Sequence, residues 1–277
     1  MTLVEPADAR PQPAVAPSSP SPRAVAGRRI RGILAYRATW AVVLLLVAVW
    51  LIEKALIGQV RDGRAIGYLS MGALPNADIV GKGSPDQWWR FISSALQHDR
   101  RNPLHLAVNV FALLMVGPVI ERLYGRLVML SALATGVLAG GISWLAASEI
   151  GFDAMPDYTI GCSAGICALL GIMLVHGYRK RAALGHHESR ALRAQAALGI
   201  ALMVLIGLVV PNLNNVAHAG GLASGVALAL LLPMPTGRRP TLGVLGRASL
   251  SGVLALAALS MTIAVANVVA RLMTLHS

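Results

Sequence analysis

The amino-acid sequence predicts an all-α membrane protein that crosses the bilayer seven times. Three observations predict it. Hydrophobic residues make up 56% of the 277 positions and charged residues only 13%, about half the roughly 25% of ordinary soluble domains. Several apolar runs reach about 18 residues or more, the length a helix needs to cross a hydrocarbon core of roughly 30 Å. The basic residues that produce the net charge of +12 lie mostly between those runs, where they act as topology signals. They do not form the aromatic-interleaved basic face of a nucleic-acid binder, so no nucleic-acid partner is expected.

Residues 1–30 are rich in Pro, Ala and Ser, with Pro11, Pro13, Pro17, Pro20 and Pro22 among them. A segment of this kind buries too little apolar surface to order itself and reads as a disordered cytoplasmic tail. It has no apolar core of the kind a signal peptide carries. The spans are expected at 39–56, 104–120, 127–147, 160–177, 195–211, 214–232 and 248–270. Glu53 and Lys54 are expected to cut the first of them short. The loop of about 57–103 carries Trp88 and Trp89, a pair suited to the membrane interface.

With the N-terminus inside, the inner segments hold sixteen Lys and Arg and the outer ones eight, counting Lys54 with the first loop. Glu149, Asp153 and Asp157 fall in one outer loop. The positive-inside rule therefore places the N-terminus in the cytoplasm and the C-terminus outside.

Polar side chains inside apolar spans are costly and mark candidate sites. Four stand out: His105 and Asn109 in the second span, Ser163 in the fourth and His218 in the sixth. Each lies near the outer start of its span, so all four share a depth within two helical turns, roughly 10 Å. Alone, a serine usually bonds back to its own helix, and an asparagine can simply join two helices. At one depth they compose a chemistry. Serine is a weak nucleophile until a base takes its proton, and histidine titrates near neutral pH. His105 and Asn109 are four apart on one helical face and can both donate toward a carbonyl oxygen that gains charge. Gly221 and Gly225 after His218, and Gly161, Gly165 and Gly171 around Ser163, permit the close helix approach such a bond needs.

Other readings are weaker. Gly161-Cys162-Ser163-Ala164-Gly165 also fits the G-x-S-x-G elbow of soluble hydrolases, but no Asp follows Ser163 and the run is membrane-length. Cys162 and Cys167, five apart, are rotated by about 140° on a helix and read as packing residues. His98 is expected at the interface or in support of the site. His176 lies about three turns from Ser163, at the opposite end of its span. His186 and His187 lack the cysteine or acidic partners of a metal site, and neither metal nor cofactor is expected. A transporter or channel would show charges deep in its spans or paired broken helices.

In this order, the residues resemble the rhomboid intramembrane serine proteases over roughly 68–232. The resemblance rests on Gly72-Ala73, Trp89-Arg90, His98, His105-Leu-Ala-Val-Asn109, Glu121-Arg-Leu-Tyr-Gly125, Gly161-Cys-Ser163, Gly171 and Ala217-His218-Ala-Gly220-Gly221. It implies a six-helix protease core over 31–232, followed by a basic loop and a seventh span over 233–277. It implies Ser163 as nucleophile and His218 as general base, with no acidic third member. The Ser163 backbone N–H, His105 and Asn109 would form the oxyanion hole. The loop with Trp89-Arg90 would brace the core, and the partners would be transmembrane protein substrates entering from the lipid bilayer. The resemblance further implies a cell (plasma or inner) membrane protein whose site opens to the outer face. Three departures stand beside it. Ala164 follows the serine where the family often has Gly, and Cys167 replaces an aromatic ring that stacks on the histidine. The spacing from His98 to His105, through Asp99-Arg-Arg-Asn-Pro103, is also longer. They leave a non-cutting, client-binding relative as the alternative.

Overall fold

The computed structural model describes residues 35–57, 68–69, 72–75, 87–150, 157–179, 185–210, 213–233 and 244–275. The N-terminal tail expected over 1–30 lies outside them. Helix α1 (Arg37–Ile57) is followed by a two-residue strand β1 (Leu74–Pro75) and a single helical turn α2 (Arg90–Ser93), which a 3-10 turn extends over Ser94–Leu96. Then come α3 (Pro103–Tyr124), α4 (Arg126–Glu149), β2 (Tyr158–Thr159), α5 (Ser163–Arg179), α6 (Gly185–Val209), α7 (Asn215–Leu231) and α8 (Val244–Leu275). A helix covers most of each of the seven expected spans. The two strands pair antiparallel, Leu74 with Thr159 and Pro75 with Tyr158.

Among the described residues five helices, α1, α3, α4, α6 and α8, are long and apolar enough to cross a membrane. The chain is an all-α multi-pass membrane protein. Helix α5 is its axis, buried without interruption from Ala164 to Met173, as befits a helix apolar on every side. It packs against α7 most extensively, and also against α4, α6 and α3. Helices α6 and α8 lie at the periphery and turn residues such as Leu202, Leu205, Leu208 and Val265 outward. In a bilayer that outward apolar face meets lipid and carries no penalty.

Three features depart from expectation, each with a cause. Glu53 does not end α1; the helix continues to Ile57. Its side chain is 0% exposed and turns inward, toward the backbone N–H of His98 and the Arg100 guanidinium. Next to it, Trp50 Nε1–H donates to the Asp99 carbonyl over 3.1 Å. A carboxyl group that would be costly in lipid is thus taken into the protein. Helix α6 starts at Gly185, ten residues before the expected span. Its polar first turns are held by a Ser189 hydroxyl donating to the Gly177 carbonyl and by Arg122 against Glu188 at 3.7 Å. Hydropathy registers only the apolar remainder of that helix. Helix α8 likewise exceeds its expected bounds at both ends. It docks on α4, where Ser131 donates to the Leu250 carbonyl at 3.1 Å, and on α2, where Ser260 donates to the Trp89 carbonyl at 2.6 Å.

Glu121 explains why α1 begins where it does. Its carboxylate accepts from the backbone N–H groups of Ala38 and Thr39 at 3.1 and 3.0 Å and from the Thr39 hydroxyl at 2.9 Å. A helix start leaves N–H groups without acceptors and carries partial positive charge. A buried carboxylate from α3 answers both.

Candidate active site

The site is assembled where α3, α5 and α7 begin. Asn102 starts α3, its side-chain oxygen accepting the Leu104 N–H at 3.1 Å, with Pro103 at the first helical position. The extra residues before it form a tight turn in which Asp99 Oδ1 accepts from the N–H groups of Arg101 and Asn102 at 2.9 and 3.3 Å. The long spacing after His98 is therefore absorbed locally. Asn214 starts α7, accepting the Ala217 N–H at 3.0 Å and donating to the Thr159 hydroxyl at 3.1 Å. That second bond ties α7 to the loop leading into α5.

Ser163 is the first residue of α5 and His218 the fourth of α7. Ser163 Oγ lies 2.7 Å from His218 Nε2. The two helices come that close because of missing side chains. A Cβ on Gly221 would overlap the Ala164 carbonyl, and one on Gly225 the Ala168 carbonyl. This is the small-residue approach expected of that spacing. His218 is 9% exposed, and its Nδ1 has no protein partner among the described residues. No ring stacks on it there either, in keeping with Cys167 at the position where the family often has an aromatic.

His105 occupies the third position of α3. Its Nδ1 accepts the Asp99 backbone N–H at 3.2 Å, so the ring is neutral and its proton sits on Nε2. That Nε2 abuts Gly161, where a Cβ would stand only 2.9 Å away. Gly161 also holds a φ of +104°, which L side chains rarely adopt, and its N–H donates to the Ser94 carbonyl at 2.9 Å. The residue two before Ser163 thus has to be glycine on both counts.

Asn109 is buried one turn further along α3. Its Nδ2 donates to the His105 carbonyl at 2.8 Å, and its Oδ1 accepts from the Cys162 thiol at 3.5 Å. The two contacts fix the orientation of the amide and leave one Nδ2 hydrogen uncommitted. The Ser163 backbone N–H belongs to the first turn of α5 and has no acceptor in its own helix. The His105 ring thus lies against Gly161 and the Asn109 amide against Cys162, the two residues before Ser163, and the start of α5 is the positive end of a helix dipole.

The expected site residues are thus brought together: Ser163 with His218, and His105 and Asn109 against Gly161 and Cys162. His98 joins them, its ring centroid 5.0 Å from that of His105. Burial, and after it the neighbouring His105, push the His98 imidazole down to about 3. His176 lies at the other end of α5, its Nδ1 2.9 Å from the Tyr124 hydroxyl. Cys162 and Cys167 are buried free thiols.

Gly72-Ala73 and Trp89-Arg90 meet in space. Arg90 donates to the carbonyls of Leu69 and Ala73 at 2.6 and 3.0 Å, Ser93 donates to the Gly72 carbonyl at 2.8 Å, and the guanidinium lies 4.5 Å over the Trp89 ring. Neither the Glu121 cap nor the inward turn of Glu53 is legible from hydropathy. The one signal for either is an acid in an apolar run.

Helices α5 and α7 have 17 residues each, a rise of about 26 Å against a core of roughly 30 Å. Their far ends are pinned together by Arg179, in the last turn of α5, which donates to the Ala229 carbonyl at 2.6 Å near the end of α7.

The comparisons agree with this architecture. The Rhomboid domain family matches residues 85–235. The chain is 29% identical to Rhomboid-type serine protease 2 of Emericella nidulans over 61% of its own length and 32% of that protein. It is 30% identical to Rhomboid protease GluP of Bacillus subtilis over 66% of its length and 32% of the relative. It is also 29% identical to Rhomboid-like protein 11, chloroplastic, of Arabidopsis thaliana over 52% of each. The chain spans about a third of the length of the first two. With more than half of its residues matched by the family domain, the chain belongs to the rhomboid family.

Proposed function

We propose that the chain is an intramembrane serine endopeptidase that cleaves transmembrane segments of other membrane proteins. The observation that carries this reading is the 2.7 Å contact between Ser163 Oγ and His218 Nε2, made between two helices. Neutral His218 with its proton on Nδ1 presents an Nε2 lone pair to the serine. Ser163 attacks the scissile carbonyl as His218 takes its proton. The oxyanion then accepts from the Ser163 N–H, His105 Nε2–H and Asn109 Nδ2–H, donors already in place before charge develops. His218 returns the proton to the leaving amine, and water hydrolyses the acyl-enzyme by the same steps in reverse. With no carboxylate on Nδ1 among the described residues, the unit acts as a dyad, oriented by helix packing.

The protease core is assigned to 31–232 and the appended segment to 233–277. The membrane is the plasma or inner membrane, with the N-terminus cytoplasmic and the site facing outward. The similarity to a rhomboid-type serine protease and a rhomboid protease supports the activity class.

The test is cleavage of a single-span substrate in proteoliposomes by wild type, Ser163→Ala and His218→Ala. Loss of the nucleophile or of its base costs about 10⁶-fold in kcat in a serine hydrolase, so both folded variants are expected to be inactive. Cutting that survives Ser163→Ala would sink the proposal. A wild type that binds substrates but cuts none would favour the client-binding alternative.

A further inference from the structure

His98 is 0% exposed. Its Nδ1 stands 3.2 Å from the Leu96 carbonyl. A carbonyl only accepts, so Nδ1 carries the ring proton and Nε2 presents a lone pair. No protein atom among the described residues partners that Nε2. Its direction follows from Gly161, where a built Cβ would lie 3.9 Å from His98 Nε2 and 2.9 Å from His105 Nε2. Two imidazoles thus converge on the bare face of Gly161, two residues before the nucleophile. One brings a donor there and the other an acceptor.

An acceptor is the wrong group beside a developing oxyanion, and a buried acceptor without a partner is costly. One water molecule resolves both problems. It donates one O–H to His98 Nε2, which leaves its second O–H free to turn toward the serine. Buried waters characteristically serve polar groups that the protein leaves unpaired.

We propose that His98 holds an ordered water whose second O–H is a further donor to the oxyanion formed at Ser163. The proposal rests on the protease reading above. His98 is then a positioning residue: it touches the water and not the substrate. The packing that aims it comes from the His105 ring on one side and the Leu96 carbonyl on the other.

The experiment compares wild type, His98→Phe and His98→Gln in proteoliposomes, measuring kcat, KM and the affinity of a peptidyl trifluoromethyl ketone, whose adduct with serine places an oxyanion in the site. Phe keeps a ring against His105 but removes the acceptor; Gln restores an acceptor. His98→Phe is expected to lower kcat about 10-fold, less than the roughly 10²–10³-fold loss of a direct oxyanion donor. KM should stay within about twofold, the ketone should weaken by the same factor as kcat, and His98→Gln should recover part of both. An unchanged kcat in folded His98→Phe overturns the proposal, as does a rise in KM alone, which would mean that His98 accepts from the substrate itself.

If His98→Phe does not fold, ¹⁵N NMR of the seven histidines in the wild type decides. His98 protonated on Nδ1, with Nε2 shifted as a hydrogen-bonded acceptor, supports the bound water; protonation on Nε2 overturns it. Cutting that survives Ser163→Ala is a separate result, which removes the protease reading and this role together.

Discussion

Asp99 donates its backbone N–H to Nδ1 of His105 over 3.2 Å, and this single bond decides which way the imidazole proton points. Were the Asp99 N–H turned away, His105 could present a lone pair toward Gly161, and it would then repel the oxyanion that the proposed mechanism asks it to stabilise.

Replacement of the donors should therefore act on kcat. His105→Phe and Asn109→Leu are each expected to lower kcat by about 10²–10³-fold with little change in KM, the signature of a group that matters only when the oxyanion forms. Steady-state cleavage kinetics check this. A rise in KM at constant kcat would assign both residues to substrate binding.

Gly221 tests the helix approach. Its Cβ would fall on the Ala164 carbonyl, which belongs to the backbone and cannot swing aside. Gly221→Ala should force α5 and α7 apart, destabilising by about 1–3 kcal/mol and lengthening the Ser163–His218 contact. The melting temperature and the rate of fluorophosphonate labelling at Ser163 should both fall. Gly252, which meets nothing within 4 Å, is the control: Gly252→Ala should leave both unchanged.

Glu121 is expected to matter for stability and not for chemistry. Glu121→Ala leaves the Ala38 and Thr39 N–H groups of α1 without their acceptor, a loss of about 1–2 kcal/mol. Thermal melting should register it, while kcat of the folded fraction at lower temperature stays near wild type. Glu121→Gln, which keeps one acceptor oxygen, should fall between.

Stability should also depend on His98 through pH. The folded protein keeps this imidazole neutral down to about 3, whereas the unfolded chain binds the proton near pH 6.5. Below that value the unfolded state holds more protons, so stability is lost as pH falls, at up to about 1.4 kcal/mol per pH unit from this group. The groups facing His98 are the His105 ring and, at its backbone, Glu53 with Arg100. Melting temperatures between pH 7 and pH 4 should decline, and less steeply in His98→Phe. Equal slopes would mean that other groups govern the acid side.

The span pattern was legible because a bilayer imposes a length and a polarity that one chain must satisfy locally. Ser163, His105, Asn109 and His218 were legible for the same reason: a polar side chain is conspicuous in an apolar run, and their matching distances from the starts of α3, α5 and α7 put them at one depth. Gly221 and Gly225 announced a close approach without naming the partner. These properties the sequence determined by itself, since each depends on one helix and its solvent. What only the tertiary structure decided are the relations between elements. They include the turning of Glu53 toward the segment before α3, the capping of α1 by Glu121, the proton of His105 set by Asp99, and the docking of α8 through Ser260 on the loop that holds Trp89. None of these has a local periodicity, because each brings a polar group against residues 6 to 171 positions away. Such a pairing exists only once the helices have packed.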